Sequence, residues 1–81
     1  MMGIDIVIKS KQQIVFSGNV SHVFSKNSRG DFSILPMHAN FITLIQDFVI
    51  LDKGLPTERK FDVTKGLLRV LDNAVEVYIG L

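Results

Sequence analysis

Every apolar run in this chain is short and ends at turn-forming residues before it reaches the length a helix needs. Ile4, Ile6 and Ile8 alternate with Asp5, Val7 and Lys9, a period of two that sets the isoleucines on one face of a strand. The same reading predicts strands over residues 14–16, 20–24, 32–35, 41–45, 48–51, 58–63, 67–71 and 74–79. Ser17-Gly18-Asn19 and Gln46-Asp47 punctuate it, as do Gly54-Leu55-Pro56-Thr57 and Lys65-Gly66. Pro36 lacks a ladder donor and stops the strand before it. Asp72-Asn73 reads as a two-residue hairpin turn, since both residues tolerate positive φ. Ser25 to Asp31 contains no apolar residue and is expected to be the longest loop.

Composition agrees with the pattern. Nine Val and nine Ile stand against two Ala and two Glu. β-Branched side chains are stiff at χ1 and suit a pleated surface, whereas a helical bundle needs the residues that are scarce here. The expectation is an all-β sandwich or small barrel of about eight to ten short strands, with no substantial helix, in one domain spanning residues 1–81. A chain of 81 residues buries only roughly 60% of its unfolded surface. Strands this apolar would therefore leave some apolar surface uncovered, which points to a partner.

Several functions are disfavoured. The net charge is +1, with no basic block to bind nucleic acid. With no Cys there is no disulfide framework or thiolate metal site. No apolar run approaches the ~20 residues of a membrane-spanning helix, and Met1-Met2-Gly3 opens without a signal-peptide pattern, which reads as a soluble intracellular domain. His22 and His38 are too few and too far apart in sequence for a zinc site. None of Ser17, Ser21, Ser25, Ser28 and Ser33 lies in a nucleophile elbow. The dispersed glycines cannot form a phosphate loop. Asn19-Val20-Ser21 matches a glycosylation sequon without a secretory context. No catalytic residue, metal or cofactor is expected.

Two loops flanking the strand at 32–35 stand out: Arg29-Gly30-Asp31 before it and Pro36-Met37-His38-Ala39 after it. Phe16-Ser17-Gly18-x-Val20, followed by Gly30-Asp31-Phe32-x-Ile34-Leu35-Pro36-x-His38-Ala39, resembles the N-terminal domain of the epsilon subunit of F-type ATP synthases (delta in mitochondria). That family reads Phe-Ser-Gly-x-Val and then Gly-Glu-Phe-Gly-Ile-Leu-Pro-Gly-His-Ala-Pro. A later element, Gly-Gly-x-Leu-x-Val, a polar turn and Val-x-Val, is matched by Gly66 to Val70, Asp72-Asn73 and Val75-Glu76-Val77. The resemblance covers the whole chain in order. Ser33, Met37 and Lys65 stand where the family has glycine, and Asn40 where it has proline.

The resemblance implies a flattened two-sheet β-sandwich. It also implies a non-catalytic rotor subunit of a proton- or sodium-translocating ATP synthase, joining the gamma subunit to the c-ring. Contacts to the c-ring are implied at Arg29, Gly30, Asp31, Met37, His38 and Ala39, and contacts to gamma at His38, Thr43, Lys65 and Gly66. Such a subunit sits peripherally on the cytoplasmic face of a bacterial inner membrane and touches it only through the complex. The family's C-terminal helical hairpin, which inhibits hydrolysis, is not expected in a chain that stops at Leu81. The competing reading is a free-standing β-sandwich binding module that recruits partners along its edge strands.

Overall fold

A computed structural model describes residues 3–81. Met1 and Met2, on which the signal-peptide reading rests, lie outside the described residues. The β-branched runs form seven strands: β1 (Ile4–Lys9), β2 (Ile14–Val20), β3 (Val23–Asn27), β4 (Gly30–Ile34), β5 (Phe41–Leu51), β6 (Arg59–Leu71) and β7 (Ala74–Ile79). They hydrogen-bond in the order β2-β1-β7-β6-β5-β3-β4. Every neighbouring pair is antiparallel except β1 and β7, which run parallel.

One dimension forces this continuous sheet to fold over. The 13 residues of β6 would extend about 40 Å at the usual strand rise, yet the molecule measures 33 Å at its longest. The bend falls where β5 carries a bulge between Ile45 and Asp47, with Asp47 at φ 72°. On one side of it, Phe41 to Ile45 pair with Val70 to Gly66, and β7 continues that layer towards β1 and β2. On the other, Asp47 to Leu51 pair with Val63 to Arg59, and β3 and β4 continue the second layer. The inward residues of both meet in one core. Ile4, Ile6, Ile8, Leu68, Val70, Val75 and Val77 come from the first layer, and Val23, Ile34, Val49, Leu51 and Val63 from the second. The expected sandwich is thus built from a single folded sheet.

The strand count is seven because two expected breaks do not break. The Gln46-Asp47 and Lys65-Gly66 signals mark the bend inside β5 and β6, where the ladder continues through both. Ser17-Gly18-Asn19 likewise stays extended inside β2, held by pairing with Val7, Ile6 and Asp5. The turn moves to Ser21-His22, so His22 lies between strands rather than within one. The expected loop from Ser25 to Asp31 is a tight hairpin, with only Ser28 and Arg29 outside β3 and β4. Polar residues fit there because β4 is an edge strand, and charged or small polar side chains suit edges. Ser25 is fully buried but donates its hydroxyl to the Phe48 carbonyl at 2.7 Å.

Four of the six phenylalanines, Phe16, Phe32, Phe41 and Phe61, sit at the rim of the core, packed against it. Phe16 of β2 meets Phe61 of β6 with ring centres 5.9 Å apart, and Arg59 covers both rings. At the other open side Phe32 of β4 meets Phe41 of β5 edge-on, also at 5.9 Å. Each pair joins the two layers where no hydrogen bond crosses between them.

Gly66 makes the bend possible. A Cβ there would lie 2.7 Å from the Tyr78 carbonyl oxygen, 3.1 Å from Val63 Cγ1 and 3.2 Å from Ile45 Cγ1. The backbone oxygen cannot yield without breaking the β6–β7 ladder. Gly66→Ala is therefore expected to destabilise the fold by about 1–3 kcal/mol, read as a lower urea midpoint at unchanged slope.

A second fixed corner is Asp52, a buried carboxylate. It accepts bonds from the Ser21 N–H at 2.6 Å, the His22 N–H at 3.4 Å and the Thr57 hydroxyl at 2.7 Å. Burial works against its charge, but the Thr57 hydroxyl, both N–H groups and the nearby His22 together hold the carboxyl below its ordinary value. A folded-state pKa below the unfolded one gives stability that is present above the unfolded value and lost as pH falls through the folded value. Stability is expected to fall as pH drops below about 4. In Asp52→Asn that acid-dependent loss should be smaller on a lower baseline, as measured by urea titration across pH.

Candidate functional site

Two loops and one strand face gather on one flank. The β3–β4 hairpin turns at Ser28-Arg29, where Asn27 Oδ1 accepts the Arg29 N–H at 2.9 Å. Gly30 follows at φ 122°, in open space, a conformation that favours glycine. The hairpin is tied to β5 by Asn27 Nδ2 donating to Thr43 Oγ1 at 3.3 Å. Together with Ser28, the residues Thr43, Leu44, Gln46, Thr64 and Lys65 line a groove of about 450 Å³. Lys26 pairs with Asp47 at 3.1 Å, a surface ion pair worth at most about 1 kcal/mol. The neighbouring Asp31 carboxylate is exposed, and among the described residues it makes no ion pair.

The second loop follows Pro36. Met37 holds φ at 66°, which costs an L-residue about 1–2 kcal/mol relative to glycine. Asn73 holds it in place: its Oδ1 accepts the Met37 N–H at 2.8 Å while its Nδ2 donates to the Gly3 carbonyl at 2.8 Å. Asn40 Oδ1 accepts the Asp72 N–H at 2.9 Å. Asp72 and Asn73, at φ 49° and 63°, form the primed turn that matches strand twist. The His38 N–H reaches the Leu35 carbonyl at 3.1 Å, and its ring N–H donates to the Ala39 carbonyl at 2.7 Å. This loop and the Asp72-Asn73 turn border a second groove of about 500 Å³.

Phe41 joins the two regions. Its ring lies 5.5 Å from the His38 imidazole and 5.9 Å from Phe32, so one row of rings links the His38 loop to the strand that begins at Gly30. The loops before and after β4 therefore share a flank. Beside them the outward face of β5 presents Ile42 and Leu44, 60% and 59% exposed, and β6 adds an exposed Leu71. That apolar patch gives way across the sheet to the charged group Arg69, Glu76 and Lys9, in which Glu76 binds both cations. The Arg69 guanidinium, aided by Lys9 and opposed by slight desolvation, keeps the Glu76 carboxyl below its usual range.

Of the residues singled out from the sequence, Arg29, Asp31, Met37, Ala39 and Lys65 are exposed, and Gly30, His38 and Thr43 are half-buried. Gly66 is buried and offers close packing rather than a surface. Ser28, Thr43 and Lys65 converge on one groove, and Met37, His38 and Ala39 on the other. Sequence reasoning missed Asn40 and Asn73 as the bonds between loops, and Phe41 as their bridge. Asn73 carried a signal, since an Asn in a primed turn has a side-chain amide free to bond elsewhere. Among the described residues no group of three or more His, Asp or Glu side chains is placed so that it could hold a metal ion; the His22 ring bonds to the Lys53 carbonyl at 3.1 Å.

Residues 2–79 match the family described as ATP synthase, Delta/Epsilon chain, beta-sandwich domain. The ATP synthase epsilon chain of Acinetobacter baumannii is 35% identical over 79 residues, covering 94% of this chain and 54% of that one. The epsilon chain of Clostridium botulinum is 32% identical over 65 residues, covering 79% and 48%. The chain thus spans about half the length of these curated relatives. In the solved Euglena gracilis mitochondrial ATP synthase (OSCP/F1/c-ring), one chain superposes with a TM-score of 0.86 at 11% identity, covering 98% of this chain and 51% of that one. A chain of the Tetrahymena thermophila central stalk/c-ring assembly gives 0.74 at 14% identity, covering 94% and 62%. At such low identity both likenesses establish the fold.

Asn73→Gly keeps the positive φ at no steric cost and removes only the amide that ties Met37 to Gly3. The loss is expected to be about 1–2 kcal/mol for two hydrogen bonds, with faster hydrogen exchange at the Met37 amide than in the parent chain.

Proposed function

The chain belongs to the delta/epsilon family of ATP synthase β-sandwich domains, and on that premise we propose that it is a non-catalytic rotor element of a rotary ATP synthase. The match to the family over residues 2–79 carries the reading. In it, the domain is clamped between the gamma subunit and the c-ring, on the cytoplasmic face of a bacterial inner membrane, and couples proton or sodium flow to ATP synthesis. It meets the membrane only through the complex.

The two kinds of surface on one flank support a division of contacts. The polar hairpin Arg29-Gly30-Asp31 meets the ring, and Asp31 forms charge-assisted hydrogen bonds to amide or basic groups there. The patch at Ile42 and Leu44, with Thr43 and Lys65 beside it, packs on gamma and covers apolar surface that is exposed in the isolated chain. Met37, His38 and Ala39 lie at the junction of the two partners, while Gly66 serves the gamma side by allowing β6 to bend behind Lys65.

Stiffness suits this duty. Torque crosses the contact between gamma and ring, so the connecting part must hold its shape under load. Side chains interdigitated at crystal-like density resist deformation, and here rim phenylalanine pairs join the layers at both open sides.

The test is capture by gamma and by assembled c-ring, measured separately. The parent chain is expected to bind gamma directly; failure to do so would remove the reading. Asp31→Lys should weaken ring attachment at least several-fold and leave gamma binding nearly unchanged, with the difference shrinking as salt rises. Unaltered ring attachment would show that the hairpin is not the ring contact.

A further inference from the structure

We propose that Met37 determines specificity within this docking surface: its side chain fills an apolar recess in the gamma subunit, and the strained backbone beneath it exists to present it. The inference rests on the rotor reading above and names one residue that would make the gamma contact selective.

Three observations lead to it. Met37 holds a left-handed backbone at φ 66°, a region that penalises any side chain with a Cβ and is free to glycine. No interior packing offsets that penalty, because Met37 is 69% exposed, the most exposed large apolar residue among those described. The conformation is nonetheless held from elsewhere in the chain, by Asn73 on the Met37 N–H and by Asn40 on the adjoining turn. A non-glycine residue kept in a costly conformation by surrounding bonds is the usual mark of a site whose strain is used. With nothing inside the molecule using the side chain, its use is outside.

The chemistry of the recess follows from the side chain and its neighbours. A thioether on a flexible stem fills irregular apolar space and contacts aromatic edges favourably. Met37 is bonded to the tip of the β6–β7 hairpin, whose exposed Leu71 continues towards Ile42 and Leu44 on β5. It therefore extends the apolar patch assigned to gamma rather than the polar hairpin assigned to the ring. Leu35, also exposed, precedes it in the same loop. An anchor at the end of a patch, aimed by a fixed backbone, loses little side-chain freedom in finding its pocket, and such anchors carry a disproportionate share of binding.

Two variants separate strain from contact. Met37→Gly relieves the backbone and deletes the anchor, so it should raise the Tm by about 4 °C while weakening gamma binding about tenfold. Met37→Leu keeps an apolar side chain in the same conformation, and its affinity for gamma should stay within about threefold of the parent, well above that of the glycine variant. A more stable chain that binds less well is the signature expected of a strained anchor. If Met37→Gly binds gamma as tightly as a parent chain that does bind, the inference is overturned and the rotor reading stands. A loss confined to c-ring binding would overturn the assignment to gamma. If the parent itself fails to bind gamma, both readings fall together.

Discussion

The bend in β5 and β6 is the constraint on which the remaining structure depends. A strand of 13 residues cannot run straight through a molecule 33 Å long, and the sheet becomes a sandwich only by folding where β6 passes Gly66. At that point the β6 backbone approaches the Tyr78 carbonyl so closely that no side chain fits. β5 complies through its bulge at Gln46, because an unpaired residue is the cheapest way to kink one strand while its neighbour continues. The polar groups freed there are recovered locally: the Phe48 carbonyl takes the buried Ser25 hydroxyl, and the Lys65 carbonyl takes the N–H groups of Gly80 and Leu81. The fold is held at this corner by hydrogen bonds and close contact, and elsewhere by the burial of branched aliphatic side chains.

What could be read from the sequence follows from which interactions are local. Strand character was legible because alternation and β-branching act over a few residues, and Ile4, Ile6 and Ile8 all proved inward-facing. Strand ends were less legible. Gly18 is a turn former by propensity, but pairing with Ile6 keeps it extended, and a ladder partner outweighs a local preference. Gln46-Asp47 and Lys65-Gly66 were correctly seen as discontinuities and incorrectly taken as ends. The difference lies in whether the next strand continues the same ladder, and pairs such as Ile45 with Gly66 and Asp47 with Val63, far apart in sequence, decide it. The two-layer arrangement leaves the narrow interior to Ile, Val and Leu and closes its sides with large rings.

The candidate site divides along the same line. Its residues were found by motif, at Gly30-Asp31 and Pro36 to Ala39, but how they meet was not legible. That meeting depends on Phe41 lying between His38 and Phe32, and on amides that reach 32 and 36 residues along the chain. Gly66 was legible as a position and not as a role, since a glycine that admits a neighbouring backbone looks the same in sequence as one at a surface. Neither Ile42 nor Leu44 was marked as a surface residue, because an apolar residue on a strand is read as core until the register shows which way it points.

Strain at Met37 and rigidity at the bend belong to one design. A positive φ on a bulky residue persists only where its surroundings over-determine it, and those surroundings here are the Asp72-Asn73 turn at the end of β6. That turn is placed by the β6–β7 ladder, which in turn starts at the Gly66 corner. Loosening the corner would let the turn shift, remove the Asn73 bond and allow Met37 to relax to negative φ. Its side chain would then leave the position set by the sandwich. The proposed docking surface, built this way, depends on the whole sheet, so a change in the core should be felt at the loops even though no core residue reaches the surface.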